Sequence, residues 1–331
     1  MADKASSPQV SFPPFISDDE NHNIRTRPLG RSRTMTEFIQ LLFNGLVEGA
    51  IFGIAALGIS LVYSVLRLVN FAAGDFLTLG AFTTFLFTTS IKFPFVVAVV
   101  ISMVLGVALS LLLELILWRK LRKIRAGTLA LFLVATGVAF IVRQSIAMFF
   151  GSDSRRFEID QIKSFEFFGA IIPQAQLIVL LCSSVAITGI AVFIKKASIG
   201  KDMRAYSDNP SLAAVSGINV NRVIVATWII SGSFGALAGV FQGTVQGQFT
   251  NAMGLDLLLS ILAAVVLGTI GDAYGALIGG FVLGIVMELS TWDALFGGIP
   301  STYKPVVAFV VLVIVLLFKP EGIFGVKARK I

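Results

Sequence analysis

Residues 94–125 read PFVVAVVISMVLGVALSLLLELILWRKLRKIR. Glu114 is the one ionisable residue before Arg119, and five of the last seven residues are Lys or Arg. About 20 apolar residues in helical conformation cross the hydrocarbon core of a bilayer, and short loops rich in Lys and Arg stay on the cytoplasmic side. The stretch therefore predicts a transmembrane helix that ends at a cytoplasmic loop, residues 119–126.

Apolar blocks of the same kind recur along the chain. Of its 331 residues, 56% are apolar and 14% charged, against about 45–50% and 25% in a soluble domain. The further blocks are 37–66, 72–90, 127–150, 174–194, 222–247, 254–271, 274–290 and 303–319. We predict an all-α polytopic membrane protein, a bundle of about 8–10 transmembrane helices over residues 36–326. Residues 1–35 form a polar, disordered tail, and 327–331 a basic cytoplasmic C-terminus.

Composition also excludes several functions. The net charge of +7 lies mainly in short loops between apolar blocks, which indicates membrane orientation rather than nucleic-acid binding. The chain has one cysteine, Cys182, and one histidine, His22. So few Cys and His side chains argue against a metal site built from them and against a His-based active site. The one Gly-Lys pair, Gly200 and Lys201, lacks the flanking residues of a phosphate-binding loop. We expect no catalytic residue, metal or cofactor in this chain.

Loop charges predict the topology of the membrane domain. Residues 119–126 and 195–221 carry an excess of Lys and Arg and should face the cytoplasm, whereas acids outnumber bases in 151–173, which should face outward. The two signals for the N-terminal tail conflict. Its arginines favour the inside, but the parity of the crossings favours the outside, and we follow the parity.

Glycines recur at four-residue spacing within several blocks. The series are Gly45, Gly49 and Gly53, then Gly235 and Gly239, Gly275 and Gly279, and Gly280 and Gly284. Small residues at this spacing let helix backbones approach closely in a membrane. A densely packed bundle is therefore expected.

Polar side chains inside apolar blocks are candidates for a translocation pathway, because burying them in a bilayer is costly. The candidates are Asn44, Glu48, Asn70, Asp75, Gln242 and Gln246. Glu48 and Asn44 lie one helical turn apart, as do Gln242 and Gln246. For Glu48 a buried structural hydrogen bond is as good an interpretation as a role in the pathway. Glu114 and Arg143 are better explained as members of structural pairs or as interfacial residues.

The polar stretch from Lys195 to Asn219 contains a predicted short helix. Asn209 and Pro210 form an N-cap and first-turn pair, and Gly217 suits the C-terminal end. The pattern alone allows two interpretations. The helix is either an amphipathic connector on the membrane surface or a lever that docks into a partner.

A family resemblance favours the lever. The runs NFAAGDFLTLGAF (70–82), SIGKDMRA to SGIN (198–219) and KPEGIFG (319–325) resemble the permease subunits of branched-chain and neutral amino-acid ABC importers. The likeness extends over residues 37–326. It implies that the coupling segment contacts an ATPase through Ser198, Gly200, Met203, Arg204, Ala205, Asn209, Gly217 and Ile218. In this reading Gly200 allows a turn, and Arg204 pairs with acidic groups of the ATPase.

The resemblance also implies partners and a location. They are a second, homologous permease subunit, two ATP-binding-cassette ATPase subunits that hold ATP and Mg, and a periplasmic solute-binding protein. The chain would be a multi-pass protein among the lipids of the bacterial inner membrane that translocates branched-chain or other neutral amino acids. Two alternatives remain open. One is a urea or short-amide importer of the same superfamily, and the other is an ion-coupled secondary transporter that uses Glu48 or Asp75 as a proton site.

Overall fold

The computed structural model describes residues 31–157, 163–167, 169–319 and 322–324. Residues 1–30 of the predicted tail and the predicted C-terminal segment 327–331 lie outside these ranges. The first helix begins at Arg31, so residues 31–35 are helical rather than part of the tail. Helix α1 is longer than the apolar block, because backbone hydrogen bonding continues through the polar residues that precede the block.

Helices account for most of the described residues. Their bounds are α1 (Arg31–Leu66), α2 (Ala73–Phe85), α3 (Phe95–Leu113), α4 (Arg119–Lys123), α5 (Thr128–Phe150), α6 (Gln174–Lys196), α7 (Ser198–Asp208), α8 (Pro210–Val215), α9 (Val220–Gln246), α10 (Met253–Gly268), α11 (Ala273–Leu289), α12 (Asp293–Phe296) and α13 (Lys304–Phe318). Short π-helices, Leu86–Ser90 and Glu114–Trp118, follow α2 and α3, and a 3₁₀ turn, Ser301–Tyr303, precedes α13. Strands β1 (Ser164–Phe167) and β2 (Ala170–Pro173) form an antiparallel hairpin.

Each predicted apolar block corresponds to a helix of this architecture. Among the described residues, 6 helices are long and apolar enough to cross a membrane, and two shorter apolar helices, α10 and α11, accompany them. The all-α polytopic fold class is confirmed. The 23-residue segment between α5 and α6 contains the hairpin, which was not predicted from the sequence.

Helix α1 runs through the centre of the bundle and packs most extensively against α11. A Cβ built at Gly284 lies 2.3 Å from the backbone nitrogen of Gly49, and one at Gly280 lies 2.4 Å from that of Gly53. The other two glycine pairs also lie against neighbouring backbone or side chains. The predicted close helix approach is confirmed, because at these positions only glycine leaves room for the facing backbone.

Helix α2 begins inside the bundle rather than at a membrane surface. The preceding residues, 67–72, are not helical, and Ala72 and Phe76 pack against Val138 and Ala139 in the middle of α5. The first turns of α2 and α10 meet, since a Cβ built at Gly254 lies 1.9 Å from the carbonyl oxygen of Gly74. Non-helical backbone such as residues 67–72 is tolerated within the membrane where other parts of the protein surround it.

The two ends of α1 identify the two faces of the bundle. Near the start of α1, the Gln40 Oε1 accepts a hydrogen bond from the backbone N–H of Ile171 in the hairpin, at 2.9 Å. Just beyond its end, the Arg67 Nη2 donates to the carbonyl of Ser207 in α7, at 3.1 Å. The hairpin and α7 therefore lie on opposite faces, as the loop charges predict, and α1 begins on the face of the hairpin.

Candidate coupling segment and translocation pathway

The predicted short helix is present as α8. The Asn209 Oδ1 accepts a hydrogen bond from the backbone N–H of Leu212 at 3.0 Å, and Pro210 occupies the first turn. Gly217 follows the helix with a φ of +85°, a value that favours glycine. The backbone N–H of Ile218 then donates to the carbonyl of Ala213 at 3.1 Å. The local capping pattern was sufficient to locate this helix.

Helix α7 was not predicted, and it changes the role of Gly200. This residue is buried within the helix and is not at a turn. A Cβ built on Gly200 lies 2.4 Å from the carbonyl oxygen of Ile194 at the end of α6. The expectation that Gly200 allows a turn is wrong. A glycine is needed there because the backbones of α6 and α7 cross in close contact.

Further contacts attach α7 to the membrane bundle. The Met203 side chain is buried in an apolar cluster with Leu61 of α1 and Ile194 of α6. The Arg204 Nη1 donates to the carbonyl of Ile194. Together with the Arg67–Ser207 hydrogen bond, these contacts connect α7 to the ends of two membrane helices. Displacement of α7 would therefore act on α1 and α6 directly.

Helix α8 presents apolar side chains away from the bundle. Leu212 is 62% and Val215 87% exposed, whereas Ala213 is buried. Large exposed apolar side chains in a polar loop indicate a surface that a partner covers. Leu212 and Val215 were not among the coupling residues predicted from the sequence. Two large apolar side chains in an otherwise polar loop are the signal that would have identified them. Ser198 and Ala205 in α7 are exposed as well.

Two of the predicted pathway residues are in direct contact. The Gln242 Nε2 on α9 donates to the Glu48 Oε1 on α1 at 3.2 Å. Asn44 lies one turn before Glu48, and its Oδ1 accepts a hydrogen bond from the Gln40 Nε2 at 3.3 Å. Gln40, Asn44 and Glu48 thus form a polar stripe on α1 that runs inward from the face of the hairpin.

The other predicted pathway residues lie elsewhere. Asn70 is buried, and its Oδ1 accepts a hydrogen bond from the backbone N–H of Ala72, which stabilises the turn before α2. Asp75 is buried against Arg143. Gln246, at the end of α9, lines a cavity of about 390 Å³ together with Asp256. The structure therefore does not bring the six candidates together at one site.

Other charged residues close to Glu48 were missed. The Lys304 Nζ at the start of α13 donates to the Glu288 Oε1 on α11. A Cβ built at Gly45, one turn from Glu48, lies 3.3 Å from the Cβ of Glu288, so this ion pair lies beside the segment of α1 that carries Glu48. In the sequence, Glu288 and Lys304 stand at the ends of apolar blocks, where charges normally indicate an interface.

Two further ionisable residues of the membrane helices, Glu114 and Arg143, are paired. The Glu114 carboxylate accepts hydrogen bonds from Arg122 and from the Trp228 Nε1, the latter at 2.8 Å. Arg143 pairs with Asp75. The interpretation of Glu114 and Arg143 as members of structural pairs is confirmed. Within the described ranges, no group of three or more His, Cys, Asp or Glu side chains is placed to hold a metal ion.

Comparison with known proteins gives a consistent result. The family model described as "Branched-chain amino acid transport system / permease component" matches residues 41–316. The high-affinity branched-chain amino acid transport system permease protein LivH of Salmonella typhimurium is 28% identical over 307 residues, which cover 87% of this chain and 96% of that protein. Two similar relatives are BraD of Pseudomonas aeruginosa, 27% identical with the same coverage, and a probable LivH of Methanocaldococcus jannaschii, 28% identical over 88% of this chain and 94% of that protein.

Proposed function

This chain belongs to the family of permease components of branched-chain amino acid transport systems, and from that membership we propose that it carries branched-chain and other neutral amino acids across the inner (plasma) membrane. It is a multi-pass membrane subunit of an ATP-binding-cassette importer. We assign translocation to residues 36–326. The family match is the observation that carries the proposal, because it extends from α1 to α13 over residues 41–316.

Energy would come from other subunits. We propose two ATPase subunits, which bind ATP and Mg, and a second, homologous permease subunit that completes the membrane unit. A periplasmic binding protein would deliver the amino acid to the face of the hairpin. The chain has no phosphate-binding loop of its own, which supports a division of labour in which it supplies only the membrane path.

Helices α7 and α8 would transmit the motion of the ATPase. Leu212 and Val215 are the exposed apolar residues on which a partner can close, and α7 links them to the bundle through Ile194 and Arg67. Closure of the ATPase on ATP would displace α7 and thereby shift α1 and α6. Such a lever biases the permease between its outward- and inward-facing states.

Along the proposed path, amide side chains outnumber unpaired charges. Asn44, Gln242 and Gln246 offer hydrogen bonds to a solute without net charge, and the charges of Asp75 and Glu114 are already paired with arginines. A strongly charged solute would require a fixed countercharge to offset its desolvation. These features favour a zwitterionic neutral amino acid as the substrate.

Uptake by the complete importer tests the proposal. The chain is reconstituted in proteoliposomes with its partner permease, ATPase and binding protein. Radiolabelled leucine, alanine, arginine, glutamate and urea are then compared with and without ATP. We expect ATP-dependent uptake of leucine and alanine in preference to the other three. Uptake of urea alone would favour the short-amide importer, and uptake that requires an ion gradient but no ATP would favour a secondary transporter.

A further inference from the structure

Four polar side chains from four helices meet in the half of the bundle nearest the hairpin. They are Glu48 of α1, Gln242 of α9, Glu288 of α11 and Lys304 of α13, and we call them the Glu48 cluster. Glu48 and Gln242 share one hydrogen bond, and Glu288 and Lys304 form an ion pair. The cluster therefore contains two carboxylates but one ammonium group, an excess of one negative charge.

Hydrogen-bond acceptors in the cluster outnumber its donors. The Gln242 side chain is fully buried, and its Oε1 has no hydrogen-bond partner among the described residues. Within the same residues, Glu48 receives a hydrogen bond only from Gln242. A buried acceptor without a donor costs about 1–3 kcal/mol, and an unpaired carboxylate within the membrane costs about 2.5–3.5 kcal/mol on insertion scales. The arrangement is thus complementary to a group that supplies both positive charge and N–H donors.

A primary ammonium group satisfies both requirements. It carries one positive charge and three N–H donors, which can reach the Glu48 carboxylate and the Gln242 Oε1. Glu48 is only partly buried, and Gln242 is the one donor to its carboxylate among the described residues. The polar stripe of Gln40, Asn44 and Glu48 leads from the face of the hairpin to this point.

We propose that the Glu48 cluster binds the α-ammonium group of the amino acid during its passage. This inference rests on the proposed function and identifies the part of the path that recognises an amino acid as such. An excess of one negative charge offsets one ammonium group. A basic amino acid carries a second positive charge, and the cluster has no further carboxylate to compensate it. The cluster therefore favours neutral over basic amino acids.

Equilibrium binding of leucine tests the cluster directly. The complete importer, without nucleotide and without its binding protein, is placed in lipid nanodiscs, and the binding of radiolabelled leucine is measured. Glu48→Gln preserves the size of the side chain and removes its charge, and we expect it to weaken leucine binding at least tenfold. Lys304→Met raises the negative excess, and we expect it to strengthen leucine binding. A purely structural role for the cluster predicts weaker binding in both variants.

Competing ligands assign the effect to the ammonium group. 3-Methylbutylamine retains the ammonium and side chain of leucine, and its competition should weaken in Glu48→Gln as leucine binding does. 4-Methylpentanoate retains the carboxylate and side chain, and its competition should not weaken in Glu48→Gln. Glu37→Gln is the matched control, since it removes the same charge from the outward end of α1, where Glu37 contacts the backbone of Asp293. It should bind leucine as the unchanged protein does.

Several results would overturn the inference. They are the absence of saturable leucine binding to the unchanged complex, unchanged binding in Glu48→Gln, and a dependence of binding on the choice of sodium, potassium or choline, which would indicate an inorganic cation at the cluster. The proposed function is judged separately by ATP-driven uptake. If the unchanged complex imports leucine but Glu48→Gln binds it normally, the cluster assignment fails and the proposed function stands.

Discussion

Arg143 of α5 donates two hydrogen bonds to Asp75 in the first turn of α2, from Nε to Oδ1 at 3.0 Å and from Nη2 to Oδ2 at 3.3 Å. The two side chains are 11% and 1% exposed, so each charge depends on the other for compensation. The pair therefore fixes the start of a helix that begins inside the bundle, next to the backbone contact between Gly74 and Gly254.

Breaking this pair should destabilise the protein strongly. Asp75→Asn leaves the Arg143 guanidinium buried without its countercharge, which costs about 3–5 kcal/mol. The free energy of unfolding, measured by denaturation in mixed micelles, should fall by about this amount. The double variant Asp75→Asn with Arg143→Gln carries no buried charge and should recover part of the loss. Equal stability of Asp75→Asn and the unchanged protein would show that the pair contributes nothing.

The contact between α1 and α11 gives a second prediction. In Gly284→Ala the new methyl group would lie 2.3 Å from the backbone nitrogen of Gly49, so the helices must separate. We expect a lower melting temperature and a larger aggregated fraction in size-exclusion chromatography. Gly137→Ala in α5 is the matched control, because no atom lies within 4 Å of its built Cβ. It should be neutral or slightly stabilising, since alanine favours a helix over glycine by up to about 1 kcal/mol.

The exposed face of α8 gives a third prediction. Val215→Asp places a charge on the most exposed apolar side chain of the coupling segment, where an apolar partner surface would have to desolvate it. Co-purification of the ATPase with the permease should fall at least tenfold. Ile124→Asp makes the same change at an exposed residue of the other cytoplasmic loop, and it should leave co-purification intact. Full retention of the ATPase by Val215→Asp would place the docking surface elsewhere.

The sequence was sufficient for features that depend on local patterns. Apolar length located the membrane helices, and the cap formed by Asn209 and Pro210 located α8. Four-residue spacing identified Gly49 and Gly284 as contact residues, because a helix repeats its face at that spacing. Each of these signals lies within one helix or at one of its ends, so no knowledge of the tertiary structure was required.

Contacts between residues that lie far apart in the sequence could not be predicted from it. Glu48 was recognised as unusual, but its neighbours Glu288 and Lys304 come from helices more than 200 residues further along the chain. Gly200 was assigned to a turn because nothing in its own segment shows that Ile194 lies against it. Tertiary packing determined both environments, and a single sequence does not record which helices become neighbours.

Chemical labelling of introduced cysteines tests the topology. The native Cys182 is exposed, so it is first replaced by serine. Single cysteines are then introduced into this Cys182→Ser variant. An impermeant maleimide on intact cells should label Glu166→Cys in the hairpin, and it should not label Lys123→Cys in the basic loop until the membrane is opened. Both side chains are exposed in the structure, so a difference in labelling reports the side of the membrane. Labelling of Lys123→Cys on intact cells would reverse the topology.

The attachment of α7 to α6 gives the last prediction, which concerns coupling rather than folding. Gly200 and Arg204 both meet the carbonyl of Ile194, the first through its backbone and the second through a hydrogen bond. Gly200→Val requires α7 to move away, and Arg204→Glu replaces the donor with a carboxylate that the carbonyl repels. In either variant we expect basal ATPase activity to persist and its stimulation by the loaded binding protein to fall at least fivefold.

Because both changes act on one carbonyl, their effects should not add. Sites that share a partner give non-additive free energies, whereas independent sites add. The double variant should therefore lose about as much stimulation as either single variant, and the melting temperature of the membrane bundle should change little in all three. Gly189→Ala in α6, where the built Cβ meets no atom within 4 Å, should behave as the unchanged protein. Additive losses in the double variant would mean that Gly200 and Arg204 act at separate places, Arg204 then contacting the ATPase itself.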